Sequence, residues 1–137
     1  MELSLSQRDV ARLPALGTVL VVEDEALVRH MAEETVRALG YRVLAAKDGN
    51  AALEILKSEE IIDILFSDVV MPGGMNGVQL AIQARNLRPA IKLLLTSGYS
   101  ADALAAQQHE LEKSIPLLAK PYRPRELASR FEVLMAA

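Results

Sequence analysis

Four stretches of the chain place ionisable or hydroxyl side chains directly after apolar runs. Glu23, Asp24 and Glu25 follow TVLVV, Ser67 and Asp68 end IIDILFSD, Thr96, Ser97 and Gly98 end IKLLLTSG, and Lys120–Pro121 follow IPLLA. If these runs are parallel strands of one sheet, the groups share one edge: carboxylates, a hydroxyl and an ammonium. Carboxylates crowded together raise one another's pKa unless a cation neutralises them. Oxygen donors without His or Cys suit a hard ion, and Mg²⁺ uses one or two carboxylates while keeping several waters. A carboxylate facing such a metal and a lysine is equipped to attack a phosphoryl donor and form an aspartyl phosphate. Lys120 and the metal would offset charge on the phosphoryl oxygens, and Thr96 would donate a hydrogen bond to one of them. Singly, the same residues have plainer readings: Asp24 as a helix cap, Lys120 as a solvated charge, Pro121 as a turn. Their joint occurrence after four strands of one alternation favours the chemical reading.

The strands and helices that carry these residues alternate along the chain. Thr18–Val22 is a β-branched run expected of a strand buried on both faces. Val28, Met31, Ala32, Thr35 and Leu39 recur at helical spacing over Glu25–Leu39, and Gly40 stops that helix. Tyr41–Ala46 reads as a second strand, Asp48 as the cap of a helix over Asn50–Lys57, and Ile61–Ser67 as a third strand. Asp68–Gly77 is a Pro- and Gly-rich loop leading to a helix over Val78–Leu87, which Pro89 ends. Ile91–Thr96 is strand four, Ala101–Lys113 a helix, Ile115–Ala119 strand five and Pro124–Met135 a last helix with Pro in its first turn. Strands each followed by a helix imply a parallel α/β sheet with helices on both faces, whose ligand site lies beyond the carboxyl ends of the strands. Residues 1–17 precede the alternation and read as a flexible extension or a short helix over Gln7–Leu13; residues 18–137 form the domain.

Composition narrows the function classes. With 137 residues the chain suits one domain, and the absence of cysteine excludes disulfides, thiol nucleophiles and cysteine-based metal sites. A net charge of −3 argues against a dedicated nucleic-acid binder. No apolar run approaches the roughly 20 residues that span a bilayer, and MELSLSQRDVARLPALG breaks a signal peptide's apolar stretch with Arg and Asp. A soluble cytoplasmic protein is expected. His30 and His109 have no partner at metal-ligand spacing and read as surface histidines. Met71 and Met75 read as packing anchors. No phosphate loop, dinucleotide fingerprint or nucleophile elbow occurs.

At VLVVEDE, LFSDVVMPGGMNG, LLLTSGYS and LLAKPY the sequence resembles the receiver domain of two-component response regulators. The resemblance covers Gly17 to the C-terminus and implies a flavodoxin-like, doubly wound five-stranded parallel sheet of order 2-1-3-4-5. It also implies that Glu23 and Asp24 form an acidic pocket and that Asp68 is the phosphoacceptor. Asp24, Asp68 and the carbonyl of Val70 would bind Mg²⁺, Thr96 would be the switch hydroxyl, Lys120 would bond the phosphoryl group, and the Lys120–Pro121 peptide would be cis. Three departures stand out. Gly73 and Gly74 lengthen the loop by one residue, Leu117 replaces a frequent aromatic three before the lysine, and Glu23 stands for an Asp. Tyr99 and Tyr122 are alternatives to the missing aromatic, or ordinary packing residues.

These readings describe a stand-alone receiver that takes a phosphoryl group from a histidine kinase or histidine phosphotransfer protein and switches binding of a downstream protein partner. Phosphorylation is expected to act on the face of the Ala101–Lys113 helix, strand five and the last helix. A receiver detached from a hybrid sensor kinase is the nearest alternative. The rivals from other classes are a Mg²⁺-dependent aspartyl-phosphate phosphatase and a flavin-binding domain. The first lacks an acid/base Asp two after the nucleophile, where Val70 stands. The second lacks a Ser/Thr-rich phosphate loop after strand one.

Overall fold

The computed structural model describes residues 14–98 and 115–137; the expected helices at Gln7–Leu13 and Ala101–Lys113, with Tyr99 and His109, lie outside the described residues. The strands are β1 (Thr18–Val22), β2 (Arg42–Ala46), β3 (Ile64–Asp68), β4 (Lys92–Ser97) and β5 (Leu117–Ala119). The helices are α1 (Ala26–Ala38), α2 (Gly49–Leu56), α3 (Gly77–Leu87) and α4 (Pro124–Ala136). The sheet order is β2-β1-β3-β4-β5, every pairing is parallel, and the Lys120–Pro121 peptide is cis.

Alternation along the central strands feeds two cores. Leu20, Val22, Leu65, Leu93 and Leu95 pack with Leu53 and Leu56 of α2 and Leu80 and Ala84 of α3 on one face. Val19, Val21, Ile64, Phe66 and Leu94 pack with Val36 of α1 and Leu127 and Phe131 of α4 on the other. Burial on both faces is why these strands read as unbroken apolar runs.

Local chemistry sets the element ends. Asp48 accepts a hydrogen bond from the Ala51 amide at 2.8 Å, so the expected cap of α2 is present. Asn76 and Gln79 form a reciprocal capping box at the start of α3. Strand three begins at Ile64 rather than Ile61, because Asp63 turns its carboxylate onto the Thr18 amide at 2.8 Å and Ile61 stays exposed. Strand five begins at Leu117 rather than Ile115. No helix among the described residues is long and apolar enough to cross a membrane.

Arg88, which follows α3, reaches 28 to 32 residues back along the chain. Its guanidinium donates to the carbonyls of Leu56 at 3.0 Å, Ser58 at 2.8 Å and Glu60. It thus caps the carboxyl end of α2 from outside and fixes the connection into β3. Arg88→Ala is expected to lower stability by about 1–2 kcal/mol, as for hydrogen bonds to a charged donor, with little recovery in Arg88→Lys, whose compact ammonium lacks the planar fork. Urea unfolding checks this; an unchanged midpoint in Arg88→Ala would remove the clamp from the account.

Candidate functional site

The site is built where the carboxyl ends of β1, β3, β4 and β5 meet. In the β1–β3 register Val22 lies beside Ser67, so Glu23 and Asp24 emerge next to Asp68. In the β3–β4 register Asp68 pairs with Thr96, and β4–β5 pairs Ser97 with Ala119, one residue before Lys120. One carboxylate oxygen from each of Glu23, Asp24 and Asp68 lies within 4.8 Å of the others. The Lys120 ammonium bridges two of them, at 3.2 Å from Glu23 and 3.4 Å from Asp68.

Burial differs across the cluster. Glu23 is buried, Asp68 half-buried and Asp24 exposed. Withdrawal from water raises the Asp68 pKa above the usual Asp value; the Lys120 charge and hydrogen bond pull it back only in part, and Asp24 adds repulsion. Asp24 is raised too, first by its partial desolvation and then by Glu23, through a hydrogen bond and like charge. Burial would lower Lys120, but Asp68 and Glu23 together hold its ammonium above the usual range. Among the described residues one ammonium faces three carboxylates, so the cluster carries a formal excess of two negative charges when all three are ionised, and Asp24 has no contacting cation. An all-oxygen donor set with that excess fits a hard divalent ion.

The Thr96 hydroxyl is the second chemical feature. It is buried and has no hydrogen-bond partner among the described residues. An unmade hydrogen bond at a buried hydroxyl costs roughly 1–3 kcal/mol, so the group is suited to a partner supplied by a ligand. Thr96 lines a cavity of about 20 Å³ with Glu23, Asp68, Lys120, Phe66 and Tyr122.

Of the residues singled out in the sequence, the structure therefore gathers Glu23, Asp24, Asp68, Thr96 and Lys120 at one edge. Asp24 does not cap α1: Glu25 occupies the cap position without a side-chain bond, and its amide donates to the Glu23 carboxylate at 3.2 Å. Val70 stands in the loop after β3 with its side chain exposed and outside the cavity lining. His30 is exposed beside Glu33, and Met71 is buried in the core on the α2–α3 face. Leu117 packs against that same core, whereas Thr96 sits in register with Leu118, which belongs to the opposite core.

Three positioning contacts leave little or no mark in the sequence. Arg29 donates to the Glu23 carbonyl at 3.0 Å, tying the start of α1 to the acidic edge. The Ser67 hydroxyl donates to the Asp68 carbonyl at 2.9 Å. Gly77 is required by closeness: a Cβ there would lie 2.2 Å from the Asp68 carbonyl oxygen and 2.9 Å from the Val69 Cα. By contrast, Gly73 and Gly74 both take positive φ in open space, so the extra loop residue sits away from the cluster. Only a glycine directly after the helix-capping Asn76 hinted at the tight approach.

A carboxyl whose pKa is raised on folding contributes stability below its unfolded pKa and loses that contribution as pH rises through the folded value. Asp68→Asn is therefore expected to exceed wild type in stability by about 1 kcal/mol at neutral pH, as removal of like-charge repulsion in a high effective dielectric implies. That advantage should shrink as pH falls towards about 4, where a free Asp protonates. Urea melts across pH in the presence of a chelator check this; a variant less stable than wild type at neutral pH contradicts it.

Comparison with known proteins agrees with this architecture. The response regulator receiver domain matches residues 19–132. The chain is 37% identical over 126 residues to the sensor kinase CckA of Brucella abortus (strain 2308), covering 90% of this chain and 13% of CckA. It is 30% identical over 119 residues to the response regulator receiver protein CpdR of the same organism, covering 87% of this chain and 97% of CpdR. The crystal structure of the receiver domain of the hybrid histidine kinase CckA superposes with a TM-score of 0.70 at 34% identity, over 87% of this chain and 99% of that one. Matched across most of its length, and spanning nearly all of one such relative, the chain belongs to the response regulator receiver domain family, the phosphoacceptor signalling modules of two-component systems.

Proposed function

We propose that Asp68 is the phosphoacceptor, and that it takes its phosphoryl group from a phosphohistidine on a histidine kinase or histidine phosphotransfer protein. The observation that carries this reading is the company Asp68 keeps. A half-buried carboxylate has an ammonium at 3.4 Å and shares a cavity with a buried hydroxyl that has no partner among the described residues. An Asp68 carboxylate oxygen attacks phosphorus, the phosphorus–nitrogen bond breaks, and the imidazole departs with the electron pair and takes up a proton. Asp24 and Asp68, with Glu23 alongside and the Val70 carbonyl, would hold Mg²⁺, which supplies positive charge to the phosphoryl oxygens when bound. Lys120 supplies positive charge from the protein side and, being paired with Glu23 as well, keeps a fixed anchor when Asp68 is phosphorylated. Thr96 donates its free hydroxyl to a phosphoryl oxygen.

The same groups explain signalling in place of turnover. The position two after Asp68 is Val70, which has no ionisable group, so hydrolysis of the acyl phosphate has no general base there. The added charge draws Thr96 and Lys120 together and shifts the population of the surface built on β4, β5 and α4, where a downstream protein binds. The kinase and that partner would meet the chain in the cytoplasm. CpdR is a receiver almost throughout and CckA carries one as a small part of its length, and the chemistry suits either setting.

With Mg²⁺ and acetyl phosphate the protein is expected to gain one phosphoryl group, read by intact mass, and Asp68→Asn to gain none. Labelling that survives in the variant overturns the assignment. Lys120→Ala is expected to impair both labelling and the accompanying change in amide exchange. Thr96→Ala is expected to be labelled but to lose most of that exchange response; a full response would remove Thr96 as the switch.

A further inference from the structure

The cavity beside Asp68 has a second end. Besides Glu23, Asp68, Thr96 and Lys120, its wall is made of Val28 and Ala32 on the inner side of α1, Phe66 on β3 and Tyr122. Tyr122 is thus the one residue after the Lys120–Pro121 pair that lines the cavity along with the charged groups and α1. It is half-buried and packs edge-on against Phe66, with ring centroids 5.8 Å apart. Phe66 lies two residues before Asp68 on the same strand, and on the same sheet face it meets Phe131 of α4 at 5.7 Å. Phe131 in turn meets Tyr41, at the entry to β2, at 5.1 Å. All three contacts are edge-to-face, the geometry that favours ring attraction.

We propose that Tyr122 is a positioning residue that couples the occupancy of Asp68 to helix α1 through the cavity the two share. The proposal rests on Asp68 being the phosphoacceptor. A phosphoryl group on Asp68 recruits Lys120 and the unpartnered Thr96 hydroxyl, both of which wall the cavity. Movement of either changes the space available to the Tyr122 ring, which packs on Phe66 and shares the cavity wall with Val28 and Ala32. A close-packed interior answers such a change by repacking between discrete arrangements rather than by yielding smoothly. Leu117 is poorly placed for this task, because it packs on the far core, while Tyr122 sits on the face that Thr96 lines. The ring acts through its neighbours and takes no part in bond making.

The test uses the full chain saturated with Mg²⁺ and beryllofluoride, with intact-mass labelling by acetyl phosphate run in parallel. In wild type the amide exchange of residues 26–38 should change on saturation. Tyr122→Leu should lose that change, and Tyr122→Phe, which keeps the ring, should restore it. An undiminished response in Tyr122→Leu overturns the proposal, as does a Phe variant as defective as the Leu variant. Should Tyr122→Leu fail to fold, Tyr41→Phe combined with Tyr99→Phe leaves Tyr122 as the sole fluorophore, since the chain has three tyrosines and no tryptophan. Acrylamide quenching of Tyr122 that shifts on saturation then supports the proposal, and quenching that does not shift overturns it. If wild type takes up no phosphoryl group on Asp68, the reading of Asp68 has failed rather than the role of Tyr122.

Discussion

Repulsion among Glu23, Asp24 and Asp68 is the constraint around which this fold is arranged. At an effective dielectric near 20, unit charges about 5 Å apart interact by roughly 3 kcal/mol, and those a little over 3 Å apart by roughly 5 kcal/mol. Three like-charge pairs and two attractive contacts to Lys120 thus come close to cancelling. Burial decides the balance, which is why the half-buried Asp68 is pushed towards its neutral form even with an ammonium at 3.4 Å. A cation or a phosphoryl–metal pair that enters this edge relieves a tension already present. Such sites cost stability and persist because function requires them.

The rest of the chain holds that edge rigid. β1 and β3 are neighbours at the centre of the sheet and are buried on both faces, so the residues that follow them have little freedom to move apart. The loop leaving Asp68 is pinned by buried Met71 at one end and by Gly77 against the Asp68 carbonyl at the other. Met75 packs onto Gly49 of α2, where a Cβ would come within 2.7 Å of its sulfur. Between these anchors Gly73 and Gly74 stand in open space. The loop is therefore fixed at the cluster and permissive at its tip, a division that lets the outer loop vary without disturbing Asp68.

Much of this was legible in the sequence because it depends on local periodicity. The apolar runs of β1, β3 and β4, the cap at Asp48, and the placing of Asp68, Thr96 and Lys120 at strand ends follow from pattern and from parallel pairing. Strand order came from family resemblance, since alternation alone leaves several windings open. What stayed hidden depends on approach between distant segments. The bridge from Lys120 to Glu23 spans 97 positions, the Arg88 clamp about 30, and the clash that makes Gly77 necessary arises only once α3 lies against Asp68. Ile61 misled because an apolar residue next to a strand looks like its continuation, whereas Asp63 starts the strand later by bonding Thr18.

Asp68 lies at an edge where burial and like charge outweigh Lys120, and a divalent ion bound there would reverse that balance. Carbon-13 NMR of the Asp68 carboxyl, followed through a pH titration of the metal-free protein and repeated with Mg²⁺, measures this at the atom concerned. The midpoint is expected above that of a free Asp side chain, about 3.9, with a clear fall when Mg²⁺ is added, because a bound cation competes with the proton. A midpoint at or below the free value that Mg²⁺ leaves unmoved would contradict it.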